Sequence, residues 1–174
     1  YIYLASGDTI VKNIWEVDSI SFAEDSPYVS PDTAEAIDLG LSVKWADFNF
    51  GATSSYQSGL LVGWGDVTGK NWSSNLKYFP SPNPTGDIIG TGYDIIKNYW
   101  GDQWRMPSES EIKELFENCT CSWTGANGQK GYVLKSKING NSIFLPVTGT
   151  RYESKITDKD TLGYLWSGTI DRSD

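Results

Sequence analysis

The sequence contains no histidine, and this absence excludes several kinds of functional site at once. Without histidine there is no Ser–His triad, no histidine general base and no histidine-ligated zinc. Basic residues are also scarce, since 14 Lys and Arg stand against 22 Asp and Glu, for a formal net charge of −8. Because non-specific nucleic-acid binding depends on neutralising phosphates, we expect no nucleic-acid partner. The same balance disfavours an anionic membrane surface.

Cysteines and long apolar runs are few as well. Cys119 and Cys121 are the only cysteines, and a disulfide across this C-x-C spacing would be strained. We therefore expect one buried and one incidental thiol, with Cys119 as the better core candidate because it continues the apolar stripe of a predicted helix. No stretch approaches the ~20 apolar residues of a membrane span.

Aromatic side chains and glycine are abundant: eight Trp, ten Tyr and 18 Gly in 174 residues. This length suggests one compact domain plus an appendage. A domain of this size buries enough apolar surface to need no metal or disulfide. Because no long helical periodicity is present, the composition favours a β-rich, loop-rich fold.

The clearest local signal lies between Trp100 and Asn118. Ser108 and Glu111 have the spacing of a capping box, in which each side chain bonds the other's backbone N–H. An apolar stripe at i, i+3, i+4 and i+7 follows, formed by Ile112, Leu115, Phe116 and Cys119. The pattern predicts a short amphipathic helix packed on a core.

The rest of the chain divides into three parts. Residues 1–25 predict a small N-terminal β-hairpin unit that turns at Ser6–Gly7–Asp8, with a third strand at 18–22. Residues 26–35 are polar and carry two prolines, which is typical of a linker. The main domain then occupies residues 36–174.

Within the main domain, patterns predict several further elements. Leu41, Val43 and Trp45 alternate in a strand centred on 41–48, and the apolar runs 59–66 and 162–169 predict two more strands. Residues 94–99 predict a short helical turn, and the charged stretch 151–161 predicts a surface loop or a loose edge strand. Asn139–Gly140 has the sequence of a type I′ hairpin turn, and Asn127–Gly128 marks another turn.

Residues 66–92 show no periodicity, and loops this long are usually functional or disordered. The loop carries aromatic residues beside polar ones, and aromatic faces stack on sugar rings while Asn and Asp pair with hydroxyls. The candidate ligand-binding residues are Trp72, Tyr78, Phe79, Asn71, Asn83 and Asp66. The alternative is that these aromatics only anchor the loop to the domain.

Several motifs together resemble one family. They are the five runs AIDLGLSVKWADFNFGA, GWGD, GDQWRMPSESEIKELF, NGNSIFLPVTG and GYLWSGT. These runs match, in the same order along the chain, the pattern of the Fibrobacter succinogenes major paralogous domain family, which is found in predicted surface lipoproteins of gut Bacteroides. The resemblance implies an α+β, C-type-lectin-like domain with small antiparallel sheets and one or two short helices. It also implies export to the cell surface, with membrane attachment only through a lipid anchor outside this chain. We expect the motif tryptophans Trp45, Trp64, Trp104 and Trp166 in the core.

The resemblance does not extend to the calcium motifs of sugar-binding C-type lectins. The nearest segment, Ser81–Pro84, lacks a carboxylate at the needed place. The acidic run Thr157–Asp160 offers oxygen ligands for a hard cation, but a solvated loop is the favoured interpretation. We expect no calcium, other metal or cofactor.

Catalysis has little support. The distantly similar formylglycine-generating enzymes use two cysteines near the end of their domain, whereas Cys119 and Cys121 lie at the helix exit. A glycosidase needs two carboxylates across a cleft, and no pattern brings Asp47, Asp66 and Asp87 together. We therefore expect a non-catalytic surface module that binds glycan or protein, rather than a hydrolase or an oxidoreductase.

A structural or adhesive subunit of a surface assembly is the alternative function. The chain stops at Asp174, before the closing strands that the resemblance implies. We expect an incomplete chain; the alternatives are a fold completed differently, or a strand supplied by another molecule. The sequence leaves the oligomeric state open.

Overall fold

A computed structural model describes residues 2–3, 9–10, 34–68, 84–152 and 155–171. These residues form an α+β structure of small antiparallel sheets and two short helices. The elements are β1 (Ile2–Tyr3), β2 (Thr9–Ile10), β3 (Ala36–Ile37), β4 (Trp45–Ala46), α1 (Ile95–Trp100), α2 (Glu109–Asn118), β5 (Cys119–Ala126), β6 (Gln129–Ser136), β7 (Ser142–Pro146), β8 (Thr150–Tyr152) and β9 (Lys155–Thr157).

The predicted N-terminal hairpin is confirmed where the structure describes it. Strands β1 and β2 pair antiparallel, with Ile2 opposite Ile10 and Tyr3 opposite Thr9. The predicted turn at 6–8, the third strand at 18–22 and most of the 26–35 linker lie outside the described residues.

Helix α2 begins at the predicted capping box. The Ser108 hydroxyl accepts from the Glu111 backbone N–H at 3.2 Å, and the Glu111 carboxylate accepts from the Ser108 N–H at 2.8 Å. Leu115 and Cys119 are buried as expected, but Phe116 is 46% exposed. The prediction for Phe116 was wrong because α2 meets the core at Leu115, and the next residue is rotated by about 100° around the helix.

The main sheet has the order β5-β6-β7, with both pairs antiparallel. A two-residue turn joins β5 to β6 at Asn127 and Gly128, whose φ angles of 49° and 80° are those of a type I′ turn. The hairpin predicted at Asn139–Gly140 is confirmed, because β6 and β7 pair antiparallel on either side of it. Its type I′ turn was wrong, since residues 137–141 form a longer connection in which Asn139 has no positive φ. There the Ser136 hydroxyl accepts the Ile138 backbone N–H at 3.0 Å, so a side chain closes the turn.

Two buried clusters form the core. The first contains Phe48, Phe50, Ala52, Ile95 and Trp100, with Trp104 packed against it. The second contains Leu39, Leu115, Cys119, Leu134 and Ile143, with Trp45 packed against it. The second cluster fixes α2 against one face of the sheet, so the expectation that α2 packs on a core is confirmed.

The short helix predicted at 94–99 is confirmed as α1, and its N-cap joins three segments. Asp94 is fully buried. One carboxylate oxygen accepts from the N–H groups of Ile96 and Lys97 at 3.0 and 3.2 Å. The other accepts from Gly90 and Met106 at 2.9 Å each. One side chain thus fastens the 88–92 loop, α1 and the approach to α2.

Three strand predictions came out differently. The strand at 41–48 shortens to β4, although Leu41, Val43 and Trp45 are half-buried between exposed neighbours. The runs 59–66 and 162–169 form no strand, because their backbone groups bond to loops, as in the bond from the Leu60 N–H to the Phe50 carbonyl. In the charged stretch, β8 and β9 pair, which matches the edge-strand alternative.

Candidate binding surface

Most of the predicted binding residues lie outside the part of the chain that the structure describes. This holds for Asn71, Trp72, Tyr78, Phe79 and Asn83, whose binding role stays a prediction. Asp66 is the described member of the set.

Asp66 is 5% exposed and holds a tight turn at the start of the long loop. Its carboxylate accepts from the backbone N–H and the hydroxyl of Thr68, at 2.9 and 2.7 Å. Its own N–H donates to the Gly63 carbonyl at 3.2 Å. These contacts are those of a turn-forming aspartate, which stabilises the turn at residues 66–68.

The best-formed surface on the described residues lies on the sheet. Trp123 in β5 is directly opposite Tyr132 in β6, which is directly opposite Leu145 in β7. Because side chains alternate along a strand, this row shares its face with Leu134 and Ile143 in the second buried cluster. The same face is therefore core at one end and open at the other.

The change from buried to open follows from how far the second buried cluster extends along the sheet. Leu115 of α2 packs with Leu134 and Ile143, and Leu145 is half-buried against this cluster. One row further along, Tyr132 is 41% exposed and Trp123 is 49% exposed. No described element covers these two rings.

Trp123 and Tyr132 form what we call the aromatic pair. Their ring centroids are 4.9 Å apart and their planes meet at 70°, an edge-to-face arrangement that is favourable for aromatic rings. Since both residues belong to paired strands, the rings are held on rigid backbone. The pair thus offers one ring face beside a second ring set nearly upright.

An open space adjoins Trp123 on the same face. Gly125, two residues further along β5, has no side chain, and a methyl group built there meets nothing nearer than 3.9 Å. Lys130 lies directly opposite Gly125 on β6, and its exposed side chain borders this space. Trp123, Gly125 and Lys130 share this face, and the space over Gly125, which no side chain occupies, is what we call the Gly125 recess.

The turn at Asn127–Gly128 is the sequence signal from which this pair could have been found. A two-residue turn fixes the register of its two strands. That register places Trp123 opposite Tyr132, because both residues lie at the same distance from the turn. The turn at Asn127–Gly128 was predicted from the sequence, but the pairing of Trp123 with Tyr132 across it was not.

A second exposed apolar segment spans residues 162–166. Leu162, Tyr164, Leu165 and Trp166 are 43–62% exposed. The core prediction for Trp166 was therefore wrong: its indole N–H donates to the Val62 carbonyl at 2.9 Å while the ring lies outside. Trp45, Trp64 and Trp104 are half-buried.

Two of the carboxylates that were considered for a hydrolase accept backbone N–H groups. Asp47 accepts from the Glu35 N–H at 2.8 Å, and Asp87 accepts from the Ile170 N–H at 3.1 Å. Within the described residues, no three His, Cys, Asp or Glu side chains gather closely enough to hold a metal ion.

Both cysteines are free, with Cys119 buried and Cys121 exposed. Burial raises the pKa of the Cys119 thiol, and the neighbouring Cys121 raises it further. A thiol in this state is a poor nucleophile at neutral pH.

Comparison with known proteins adds no relative. No family model, no curated protein and no solved structure matches this chain. Neither described helix has the length and apolarity needed to cross a bilayer.

Proposed function

We propose that this chain is a non-catalytic binding module that recognises glycan, without calcium, at the aromatic pair. The observation that carries the proposal is the exposure of Trp123 and Tyr132 on a rigid sheet, in the row next to the second buried cluster. Single exposed aromatic residues are common, but adjacent exposed rings form a continuous apolar patch of the kind that often marks a binding site.

The geometry suits a sugar ring. A pyranose presents an apolar face of C–H groups, which stacks on an indole, and a rim of hydroxyls, which needs hydrogen-bonding groups nearby. Trp123 supplies the ring face, while the Tyr132 phenol can both donate and accept. Because the two rings already contact each other, little conformational entropy is lost when a ligand orders them.

Recognition of this kind needs no metal ion. Stacking and hydrogen bonding supply the contacts, and the calcium motifs of sugar-binding C-type lectins are absent from the sequence. The α+β arrangement of small antiparallel sheets and two short helices is compatible with a C-type-lectin-like domain, which we propose as the fold. Membership of the Fibrobacter succinogenes major paralogous domain family and location at the cell surface are part of the same proposal.

Residues of the long loop 66–92 would add further contacts to the glycan. Trp72, Tyr78 and Phe79, with Asn71 and Asn83, offer a second set of aromatic and amide groups. We assign them a secondary contribution to glycan binding.

The test is a glycan array, read once with calcium and once with a chelator, followed by titration of the hits. Trp123→Ala should weaken binding about tenfold or more, as is common when a central aromatic contact is removed. Phe116→Ala is the matched control, because Phe116 is similarly exposed, at 46%, but lies on α2 apart from the pair. Equal binding by wild type and Trp123→Ala, or loss of binding with the chelator, would contradict the proposal.

Residues 162–166 favour a second candidate, a structural or adhesive subunit. None of the backbone N–H groups of residues 163–167 donates to a described group, and the segment's large side chains are exposed. An extended segment of this kind can accept a strand from another chain. Light scattering after size exclusion tests this candidate. Leu165→Asp should convert any oligomer to monomers. A wild-type chain that stays monomeric at high concentration counts against the candidate.

A further inference from the structure

The charges of this chain are strongly segregated. Residues 119–152 contain four cationic residues, Lys130, Lys135, Lys137 and Arg151, and no carboxylate. All 22 Asp and Glu therefore lie outside this stretch, in a chain whose net charge is −8. The stretch includes all three strands of the main sheet, so the sheet is locally basic on an otherwise acidic protein.

Lys130 is the cation on the open face of the sheet. It is opposite Gly125 and two residues from Tyr132, so it shares their face. It forms no ion pair with any described residue, in contrast to Lys97 and Lys113. A lysine side chain without an ion-pair partner among the described residues thus borders the Gly125 recess.

Lys135 provides the comparison. It lies on the same strand as Lys130 and is also exposed, but the register places it opposite Thr120 and Ser142. An odd separation along β6 puts its side chain on the other face. The two lysines therefore differ chiefly in which face they occupy.

We infer that the aromatic pair takes an anionic glycan, in which a uronic acid or a sulfated sugar stacks on Trp123 and its acidic group pairs with Lys130. The inference rests on the proposed function and specifies its ligand class. Lys130 is placed to supply the charge-assisted hydrogen bond, and the Gly125 recess supplies room for the acidic substituent. No carboxylate in the sheet opposes the ligand.

The preference for an anionic ligand depends on the charge near Lys130 rather than on the net charge of the chain. The acidic remainder of the chain repels a polyanion at long range, but at physiological ionic strength that repulsion is screened beyond about 8 Å. The ion pair with Lys130 forms at contact distance, so salt screens it less than the long-range repulsion. An anionic ligand therefore binds this face more tightly than a neutral one, which makes Lys130 a specificity-determining residue.

The experiment is isothermal titration of the full chain with three hexasaccharide probes: an oligogalacturonate, a carrageenan fragment that carries sulfate and no carboxylate, and neutral cellohexaose. Each titration is run at low and at high NaCl concentration. The variants are Lys130→Gln, Lys135→Gln as the matched control, Trp123→Ala, and Gly125→Val. The last variant fills the recess where the structure has space for a side chain. Circular dichroism checks that each variant is folded.

We expect one or both anionic probes to bind about fivefold more tightly than cellohexaose, the scale of one partly exposed ion pair. Lys130→Gln should remove that advantage and its salt dependence, and Lys135→Gln should leave both unchanged. Gly125→Val should weaken the anionic probes. The two anionic arms distinguish a carboxylate from a sulfate as the preferred group.

Two outcomes overturn the inference in distinguishable ways. If all three probes bind equally, Lys130→Gln changes nothing and Trp123→Ala abolishes binding, the ligand class is wrong while the glycan-binding proposal stands. If none of the probes binds the wild-type chain, and the array also gives no hit, both the ligand class and the proposed function fail.

Discussion

Arg105 and Glu111 form a two-pronged ion pair, with Nη1–Oε2 and Nη2–Oε1 distances of 2.9 and 2.6 Å. The same carboxylate accepts the Ser108 backbone N–H, so one side chain completes the cap of α2 and fixes the segment before it. The pKa of Glu111 falls to about 2, chiefly because of the hydrogen bond from Arg105, with a contribution from the bonds to Ser108 and against burial, which raises it. Arg105 in turn has a raised pKa.

This pair predicts a defined dependence of stability on pH. Because the Glu111 pKa is lower in the folded chain than its ordinary 4.5, its contribution is full above about pH 5 and is lost as the pH falls toward 2. Glu111→Gln should lower the free energy of unfolding at pH 7 by about 1–2 kcal/mol, a value reduced for the partial exposure of Arg105. Urea unfolding at pH 7, 4 and 2.5 should show the gap between wild type and variant closing.

Glu109→Gln is the control for that experiment. Glu109 pairs with Lys113 at 2.6 Å, but both side chains are more than half exposed, so its loss should cost below about 1 kcal/mol. A Glu111→Gln gap that stays constant between pH 7 and pH 2.5 would contradict the assigned role.

Replacing Asp94 by asparagine, which has nearly the same shape, should cause a large loss of stability. In Asp94→Asn an amide NH₂ group replaces one carboxylate oxygen, so it would face backbone N–H donors that need an acceptor. We expect the free energy of unfolding to fall by about 3 kcal/mol, since buried donors lose a charged acceptor. Asp102→Asn is the control, because Asp102 is 90% exposed in its pair with Lys97. Similar urea midpoints for both variants would show that the Asp94 network contributes little.

Gly131 predicts an intolerant position at the centre of the sheet. A methyl group built there lies 2.6 Å from Cζ of Phe144 and also meets the Leu145 carbonyl. The Phe144 ring cannot easily retreat, because Tyr56 packs on it with ring centroids 5.2 Å apart. Gly131→Ala should cost about 2–3 kcal/mol by overpacking. Gly92→Ala, at an exposed site with open space, should change thermal stability little.

The two thiols should differ in reactivity. Cys121 is exposed, whereas Cys119 is buried and has a raised pKa. A thiol-exchange reagent at pH 8 should therefore label one cysteine per folded chain, and the second only in denaturant. Cys121→Ser should abolish the labelling of the folded chain, while Cys119→Ser should preserve it. Equal labelling rates for both thiols in the native chain would be inconsistent with the packing around Cys119.

The features that could be predicted from the sequence are those that neighbouring residues fix among themselves. Ser108 and Glu111 are three residues apart, so their mutual bonds depend only on the helix that they start. Asn127 and Gly128 both adopt positive φ, which their residue types favour. In each case the deciding contacts lie within one turn of chain.

The features that could not be predicted depend on which segments cover one another. Phe116 was expected in the core from its spacing and Trp166 from the family resemblance, yet both are exposed. On α2, the residue that meets the core is Leu115, one position before Phe116. Asp94 collects donors from residues up to 12 positions away, and no local pattern shows that convergence.

The candidate site lies between these two cases. The turn at Asn127–Gly128 was enough to place Trp123 opposite Tyr132, since register along a hairpin is set by its turn. Their exposure was decided only by the tertiary structure, because the second buried cluster takes in Leu145 of their row but neither Trp123 nor Tyr132. The sequence by itself thus determined local bonding and pairing. The packing of distant segments decided which face is buried, because burial depends on contacts that no short stretch of chain contains.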